Sequence, residues 1–210
     1  MSILTEINKN LQKGKAKVVC SLVQTALEEK LDPQEIMQTL LDGMAVIGEK
    51  FKKDEVFVPD VMIAARAMNQ GLNLLKPHLL SAGIENKGRA CVGTVKGDLH
   101  DIGKNLVKLM LEGRGFEVID LGVDVAPETF VKTAIEKNCD LICCSALLTT
   151  TMTSMADVVR LAAEAGIRDK VKIMVGGAPV DQRFCDHIGA DAYTRDAATA
   201  ADKAVEFVAR

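Results

Sequence analysis

What the chain lacks narrows its class before any motif is considered. It has no tryptophan, one tyrosine and six phenylalanines, so aliphatic residues and nine methionines must fill its core. No apolar run approaches the ~18 residues of a membrane-spanning helix, and the first residues lack the basic-then-apolar order of a signal peptide. We therefore expect this chain of 210 residues to be cytoplasmic and to have no membrane partner.

Neither sign of charge dominates the sequence. There are 26 basic and 29 acidic side chains, which give a formal net charge of −3 and a pI of about 5.7. Such a chain has no global basic field, so we expect no nucleic-acid partner. The composition, 48% hydrophobic and 26% charged, is that of an ordinary globular protein.

The six cysteines include no pair at the C-x-x-C spacing of many metal and redox sites. Cys139, Cys143 and Cys144 are close enough in sequence to suggest a metal site. However, Cys143 and Cys144 are neighbours on a predicted strand, and neighbouring strand residues face opposite ways. We interpret the cysteines as reduced, buried thiols inside a cytoplasmic protein.

The first part of the chain, to about residue 83, has apolar side chains at helical spacing. Asp32-Pro33 is typical of a helix start, with a capping carboxylate before a proline at the first helical position. Val58-Pro59 opens a fourth helix. Four helices with short links predict an antiparallel bundle, which we assign to residues 1–88. Four methionines of this segment are interpreted as core packing: Met37, Met44, Met62 and Met68.

The pattern changes after a polar, glycine-flanked segment at residues 83–89, which we interpret as a linker. Short apolar runs then alternate with helical stretches, which is typical of a parallel sheet covered on both faces. These runs predict a flavodoxin-like, doubly wound (Rossmann-type) five-stranded domain over residues 89–210. Its ligand site is expected at the carboxyl ends of the strands. The predicted strands are residues 90–95, 117–121, 141–145, 171–175 and 190–193.

The loop after the first predicted strand carries the strongest functional signal. His100 lies two residues after Asp98, and Gly97 and Gly103 let the backbone approach a ligand. A histidine that binds a metal usually donates its other ring proton to a carboxylate or a carbonyl, and Asp98 suits that role. The loop after the third strand offers hydroxyls, and a glycine pair follows the fourth strand.

Other interpretations of these loops stay open on residues alone. A lone histidine at a strand end is more often an exposed loop residue, and a glycine pair is more often a turn. Nucleotide binding is disfavoured because the G-x-G-x-x-G and G-x-x-x-x-G-K-[ST] spacings are absent. A phospho-receiver domain needs an aspartate at the end of the third strand, where this chain has Cys143-Cys144-Ser145. A zinc site needs three or four ligands, and His78 and His187 are too scattered to supply them.

Taken together, the motifs resemble those of a known family. Asp98-x-His100-x-x-Gly103, followed by Ser145-x-Leu147 and Gly176-Gly177, resembles the cobalamin-binding signature. The same two-domain unit stands alone in the corrinoid proteins of methylotrophic and acetogenic methyltransferase systems, and the resemblance runs from about residue 5 to the end. Three upstream segments resemble the helical cap of cobalamin-dependent methionine synthase: Leu41-Asp42-Gly43-Met44 through Phe51, Phe57-Val58-Pro59, and Ala65-Arg66-Ala67-Met68.

The resemblance implies a role for each of these residues. His100 would be the lower axial ligand of cobalt, in place of the cofactor's own dimethylbenzimidazole. Asp98 would hydrogen-bond to His100, and Thr151 would continue that relay from a position where the family member compared has serine. The other residues implied to contact the cofactor are Gly97, Leu99, Asp101, Ile102 and Gly103 in the first loop; Ser145, Leu147, Thr149, Gly176 and Gly177 along the displaced nucleotide tail; Tyr193 and Ala197 at its far end; and Phe51 and Val58 over the methyl-bearing face.

The resemblance implies a methyl carrier rather than a complete enzyme. Its cofactor would be cobalamin, taking a methyl group as cob(I)alamin and releasing it as methylcobalamin. The implied partners are a substrate-specific methyltransferase, a second methyltransferase with an acceptor such as tetrahydrofolate or a thiol cofactor, and a reductive activase. The chain has no room for the ~250-residue barrel that would bind such substrates.

Two other cobalamin functions are alternatives: the cobalamin-binding subunit of an adenosylcobalamin-dependent mutase, and a cobalamin-based sensor. Mutase modules normally work with a barrel and do not need a helical cap, and a sensor needs an output domain. The sequence leaves the methyl donor open among methanol, methylamines, glycine betaine and methoxylated aromatics, because that choice resides in the partner.

Overall fold

The structure of the chain, a computed structural model, describes residues 2–81 and 86–209. It separates into two compact units. The helical unit comprises Met1–Asn86 and Gly113–Gly115, and the sheet unit comprises Lys87–Glu112 and Phe116–Arg210. Residues 83–85 of the predicted linker lie outside the described residues. Among the residues that are described, no helix combines the length and hydropathy needed to cross a bilayer.

The helical unit has four helices over residues 2–81: α1 (Ile3–Gln12), α2 (Ala16–Glu28), α3 (Pro33–Lys52) and α4 (Val58–Ser81). The start of α3 follows the sequence signal, because the Asp32 carboxylate accepts the Gln34 N–H at 2.9 Å and Pro33 occupies the first helical position. The predicted N-terminal bundle is confirmed. Its core is aliphatic, as the scarcity of aromatic residues requires, and includes Ile7, Leu11, Val19, Val23, Ile36, Leu40, Met44, Ile47, Val61 and Leu75.

One core prediction was wrong for this unit. Met44 and Met68 are buried, but the Met62 side chain is 55% exposed. Val61 is fully buried on the inward face of α4. A helix turns by about 100° per residue, so the next side chain points away from the core. Met37 is only half-buried.

The sheet unit alternates strands and helices within residues 86–209. Its strands are β1 (Gly88–Val95), β2 (Phe116–Val125), β3 (Leu141–Ser145), β4 (Lys172–Gly176) and β5 (Ala192–Tyr193). Its helices are α5 (Ile102–Glu112), α6 (Pro127–Glu136), α7 (Thr153–Glu164), α8 (Gln182–Ile188) and α9 (Ala197–Val208).

The five strands form a parallel sheet in the order β2-β1-β3-β4-β5. This confirms the predicted doubly wound fold. Helices α6 and α7 contribute to one buried core face, and α5 contacts α9. The order reverses between β1 and β3, so the loops after these strands open at the switch point.

The cysteines are free thiols, and all are buried except the half-buried Cys20. Cys143 and Cys144 follow each other on β3, and the core that contains Cys144 does not include Cys143. Burial raises the pKa of Cys143 to about 12, so this thiol stays protonated. Across the described residues, no group of three or more histidine, cysteine or acidic side chains is arranged to hold a metal ion.

An ion pair between a buried lysine and a partly exposed aspartate joins α5 to β2. Lys104 is only 3% exposed, and its Nζ donates to Asp120 Oδ1 at 2.7 Å. Asp120 also accepts the Gly122 N–H at 3.0 Å and the Lys108 ammonium at 3.2 Å. Burial alone would raise the pKa of Asp120, but these bonds, the one from Lys104 foremost, hold it below its ordinary value. The pair therefore fixes the first turn of α5 against β2.

We expect the two partners of this pair to respond unequally to substitution. Asp120→Asn leaves the Lys104 charge buried without a carboxylate, and should lower the free energy of unfolding of the sheet unit by about 3 kcal/mol. Lys104→Met leaves Asp120 near Lys108 and water, and should lower it by only about 1 kcal/mol. Denaturation can be followed by the fluorescence of Tyr193, the single tyrosine in a chain without tryptophan.

The matched control for this comparison is Lys108→Met, because the Lys108 side chain is half-buried and its loss leaves the Lys104 pair intact. We expect it to change the free energy of unfolding by less than about 1 kcal/mol. A loss for Lys104→Met as large as that for Asp120→Asn would contradict the asymmetry.

Candidate functional site

The predicted histidine loop lies between β1 and α5, at the switch point of the sheet. Asp98 in this loop is fully buried, whereas the His100 side chain is 52% exposed. Thr94, the penultimate residue of β1, is also fully buried. Its hydroxyl donates to the His100 carbonyl at 2.8 Å. The loop thus presents an imidazole to solvent on a backbone that is fixed from beneath.

The Asp98 carboxylate is the centre of the hydrogen bonding at this edge. Its Oδ1 accepts the His100 N–H at 3.1 Å and lies 2.7 Å from the His100 Nδ1. Its Oδ2 accepts the backbone N–H groups of Leu147 and Leu148 at 2.7 and 3.2 Å, and the Thr151 hydroxyl at 2.9 Å. One buried carboxylate therefore joins the loop after β1 to the loop after β3.

These donors decide the protonation state of Asp98. Burial would raise its pKa, but the hydrogen bonds from the Leu147 N–H, from the ring and N–H of His100 and from Thr151 hold the pKa well below its ordinary value. A carboxylate without a proton can only accept, so the His100 Nδ1 carries the hydrogen between them. In the neutral ring, the Nε2 lone pair is then free for another partner.

Thr151 is itself 7% exposed and has one hydroxyl proton for two acceptors. Both Asp98 Oδ2 and the Leu148 carbonyl lie 2.9 Å from its Oγ1. The structure therefore brings His100, Asp98 and Thr151 into one hydrogen-bonded chain that runs inward from the exposed imidazole. The roles of these three residues toward cobalt stay predictions.

The glycine pair at the end of β4 is required by backbone contacts that involve no ligand. Gly177 has a φ of 126°, and a Cβ atom built there would lie 1.8 Å from the Ala146 carbonyl oxygen. The Ala146 N–H donates to the Gly176 carbonyl at 3.1 Å. The loops after β3 and β4 can therefore pass in contact only because residue 177 has no side chain.

Exposed apolar side chains accompany the imidazole on these loops and at the start of α5. Leu99 and Ile102, on either side of His100, are 72% and 73% exposed, and Leu147 and Leu148 are also exposed. Large apolar side chains left exposed on adjacent loops are typical of a binding surface. Leu148 and the supporting Thr94 were not predicted. The position of Leu148 between the predicted residues Leu147 and Thr149 could have indicated it, whereas nothing in the sequence indicated Thr94.

The remaining predicted residues occupy three places. Gly97 and Asp101 are exposed in the first loop, and Gly103 is exposed in the first turn of α5, where no atom outside the local chain lies within 4 Å of a Cβ built at this position. At the ends of β3, β4 and β5, Ser145, Gly176 and Tyr193 are half-buried, Thr149 is exposed, and Ala197 is buried at the start of α9. Phe51 and Val58 are half-buried in the helical unit, in the last turn of α3 and at the start of α4.

The donor set suits a metal that brings most of its ligands with it. A corrin ring would supply most of the nitrogen ligands of its cobalt, so the protein would need to offer only one further donor. A neutral imidazole whose Nδ1 hydrogen is held by a carboxylate is such a donor, because its Nε2 lone pair is oriented and made more basic. The exposed apolar side chains of the same loops suit the flank of a macrocycle.

Comparison with known proteins agrees with this chemistry. Residues 88–206 and residues 3–76 match two protein-family models, each described as a B12 binding domain. The chain is 42% identical over 211 residues to a corrinoid protein of Desulfitobacterium hafniense, covering 99% of this chain and 96% of that protein. It is 43% identical over 209 residues to dimethylamine corrinoid protein 2 of Methanosarcina acetivorans, covering 98% and 96%.

A solved structure shares the fold of the whole chain. The crystal structure of the methanol:cobalamin methyltransferase complex from Methanosarcina barkeri contains a chain that superposes with a TM-score of 0.90 at 31% identity. The match covers 98% of this chain and 79% of that chain. The sequence and structural comparisons therefore agree over nearly all of the 210 residues.

We expect Asp98→Asn to destabilise the sheet unit of the apoprotein in a pH-dependent way. An amide oxygen cannot accept all the donors that converge on this carboxylate, so the free energy of unfolding should fall by about 2 kcal/mol near neutral pH. The folded pKa of Asp98 lies below its unfolded value of about 3.9. Its stabilisation is therefore complete above that value and is lost as the pH falls through the folded pKa.

The measurement is denaturation between pH 7 and pH 3, followed by Tyr193 fluorescence. The difference in the free energy of unfolding between wild type and Asp98→Asn should become smaller as the pH approaches 3. Asp101→Asn is the control, because Asp101 is an exposed aspartate of the same loop. A difference that stays constant over the whole range would contradict the ionised state of Asp98.

Proposed function

Because the chain belongs to the B12-binding corrinoid proteins of methyltransferase systems, we propose that it carries a methyl group between two partner methyltransferases. The observation that carries this proposal is the 2.7 Å contact between Asp98 Oδ1 and His100 Nδ1, which leaves Nε2 available as a cobalt ligand. When bound, the corrinoid supplies the nucleophilic cobalt that takes up and releases the methyl group. The protein supplies position and electrostatics.

His100 would hold the corrinoid from below through Nε2. Asp98 would keep the ring in one orientation and one tautomer, since its carboxylate stays ionised and faces Nδ1. Thr151 would stabilise the same carboxylate by donating from its hydroxyl. This hydroxyl is the inner end of the hydrogen-bonded chain that starts at the imidazole.

Apolar side chains around His100 would exclude water from the bound corrinoid. Leu99 and Ile102 are well placed for this role, because they are the most exposed large apolar side chains of the chain that the structure describes. Leu147 and Leu148 would extend the same surface, since their N–H groups donate to Asp98. The hydrogen bonds to Asp98 therefore fix the backbone that carries these two side chains.

We propose that the displaced nucleotide tail follows the carboxyl edge of the sheet toward β5. The exposed Gly177, the hydroxyls of the β3 loop and the half-buried Tyr193 support this path. The residues proposed along it are Ser145, Leu147, Thr149, Gly176, Gly177, Tyr193 and Ala197. In the helical unit, the residues proposed to contact the corrinoid are Phe51 and Val58.

The proposed partners are a methyltransferase that brings the methyl donor, a second methyltransferase that passes the methyl group to an acceptor, and a reductive activase. The relative named for dimethylamine and the methanol complex support a small methylated compound as donor. The donor itself would be chosen by the first methyltransferase. The protein is proposed to work in the cytoplasm.

The upper ligand of the bound corrinoid tests the methyl-carrier function. The protein would be produced in a corrinoid-supplied host, purified in the dark, and its cofactor extracted and separated by chromatography. A methyl carrier should release methylcobalamin or hydroxocobalamin. Predominant adenosylcobalamin would contradict the carrier function and favour a mutase subunit or a sensor.

The His100→Ala variant should retain much less corrinoid, because it lacks the proposed cobalt ligand. His187→Gln is the control for this variant, because His187 is exposed on α8.

A further inference from the structure

The end of β2 is irregular where it passes the His100 loop. Val92 of β1 pairs with Asp120, Gly93 with Gly122 and Val95 with Val125, so β2 has an extra residue in each of two successive intervals. Gly122 and Asp124 both have positive φ, at 84° and 53°. Bulges of this kind often re-aim a side chain next to a functional site.

The second bulge turns Asp124 toward the backbone of the loop. The Asp124 Oδ1 accepts the Gly97 N–H at 2.7 Å, and the Asp124 N–H donates to the Asp98 carbonyl at 2.9 Å. The two residues that lead to His100 are therefore held by reciprocal hydrogen bonds from one residue of β2. A left-handed φ at a residue other than glycine is uncommon, and aspartate is among those that tolerate it.

The contacts of Asp98 connect Asp124 to the imidazole of His100. Its side chain is held by the loop after β3, and its carbonyl is held by β2 through Asp124. The aim of the carboxylate at His100 depends on both, because a shift of the Asp98 backbone displaces Oδ1 from the imidazole. Beyond His100, the pair of Lys104 with Asp120 holds the start of α5 to the same strand.

We propose that Asp124 is a positioning residue for His100: its carboxylate holds the Gly97 N–H and its own N–H holds the Asp98 carbonyl, so that the carboxylate of Asp98 stays aimed at Nδ1. The effect on cobalt rests on the proposed function, whereas the effect on the loop does not. Asp124 does not contact the imidazole, and its role is to hold the residue that does.

Three variants separate the side-chain contact from the backbone conformation. Asp124→Gly removes the acceptor for the Gly97 N–H and keeps the positive φ without strain. Asp124→Asn keeps an acceptor oxygen and also tolerates this φ. Asn138→Gly is the matched control. Asn138 has a φ of 50° in the turn between α6 and β3, at the amino ends of the strands and therefore away from the His100 loop.

The first readout is hydrogen exchange of the Gly97 amide in the apoprotein, measured by NMR. We expect Asp124→Gly to speed this exchange about tenfold or more, because the amide loses its acceptor. Asp124→Asn and Asn138→Gly should both stay near the wild-type rate. Wild-type protection in Asp124→Gly, or equal loss in Asp124→Asn, would overturn the proposal.

The second readout is corrinoid binding and the electron paramagnetic resonance of the cobalt(II) form. Asp124→Gly should bind hydroxocobalamin about tenfold more weakly and show a smaller fraction with histidine on cobalt, as for other residues that orient a metal ligand. Asp124→Asn should restore both. Faster exchange with unchanged affinity and spectrum would overturn the positioning role. If the wild type took up no corrinoid, the proposed function would fail, and the exchange measurement would still decide whether Asp124 holds the loop.

Discussion

The site depends on one buried carboxylate that accepts more hydrogen bonds than it has oxygens. Asp98 is fully buried, and among the residues that the structure describes its hydrogen bonds include none from a lysine or arginine. Its charge is stabilised by peptide N–H groups, a hydroxyl and an imidazole, which lower its pKa despite its burial. Without this carboxylate, the loops after β1 and β3 would have no common acceptor, and His100 would have no partner to fix its tautomer.

The parallel sheet makes this arrangement possible. The strand order reverses between β1 and β3, so the loop that carries His100 and the loop that donates to Asp98 leave neighbouring strands in the same direction. Gly177 lets the β4 loop pass against the β3 loop at a distance that no side chain would permit. The irregular end of β2 completes the support from the other side. The exposed imidazole is thus held on a rigid base.

Much of this was readable from the sequence, because the informative signals are local. Helical periodicity predicted the bundle, and Asp32-Pro33 predicted a helix start. The alternation of short apolar runs with helical stretches predicted the sheet. The spacing of Asp98 and His100, two residues apart after a strand, was enough to suggest a carboxylate-oriented imidazole. Thr151 came from the family resemblance alone, since the path from Asp98 to a residue 53 positions later exists only in the fold.

Other features could not be predicted, because they depend on geometry between distant segments. Asp124 reaches the loop only because β2 bulges, and an aspartate among alternating strand residues gives no sign of that. Thr94 has the composition of an ordinary strand residue, although its hydroxyl supports the His100 carbonyl. Met62 was assigned to the core because it is apolar, yet its position one residue after the inward-facing Val61 turns it outward.

The most direct test of the account is the nitrogen on cobalt in the holoprotein. The protein would be loaded with hydroxocobalamin, reduced to the cobalt(II) form and examined by electron paramagnetic resonance, with histidine at natural abundance and with ¹⁵N-labelled histidine. If His100, oriented by Asp98, is the lower ligand, the nitrogen splitting should change from a triplet to a doublet with labelled histidine. His100→Ala should abolish the doublet. A triplet that persists in the labelled protein would show that the cofactor's own base stays on cobalt, and would contradict the account.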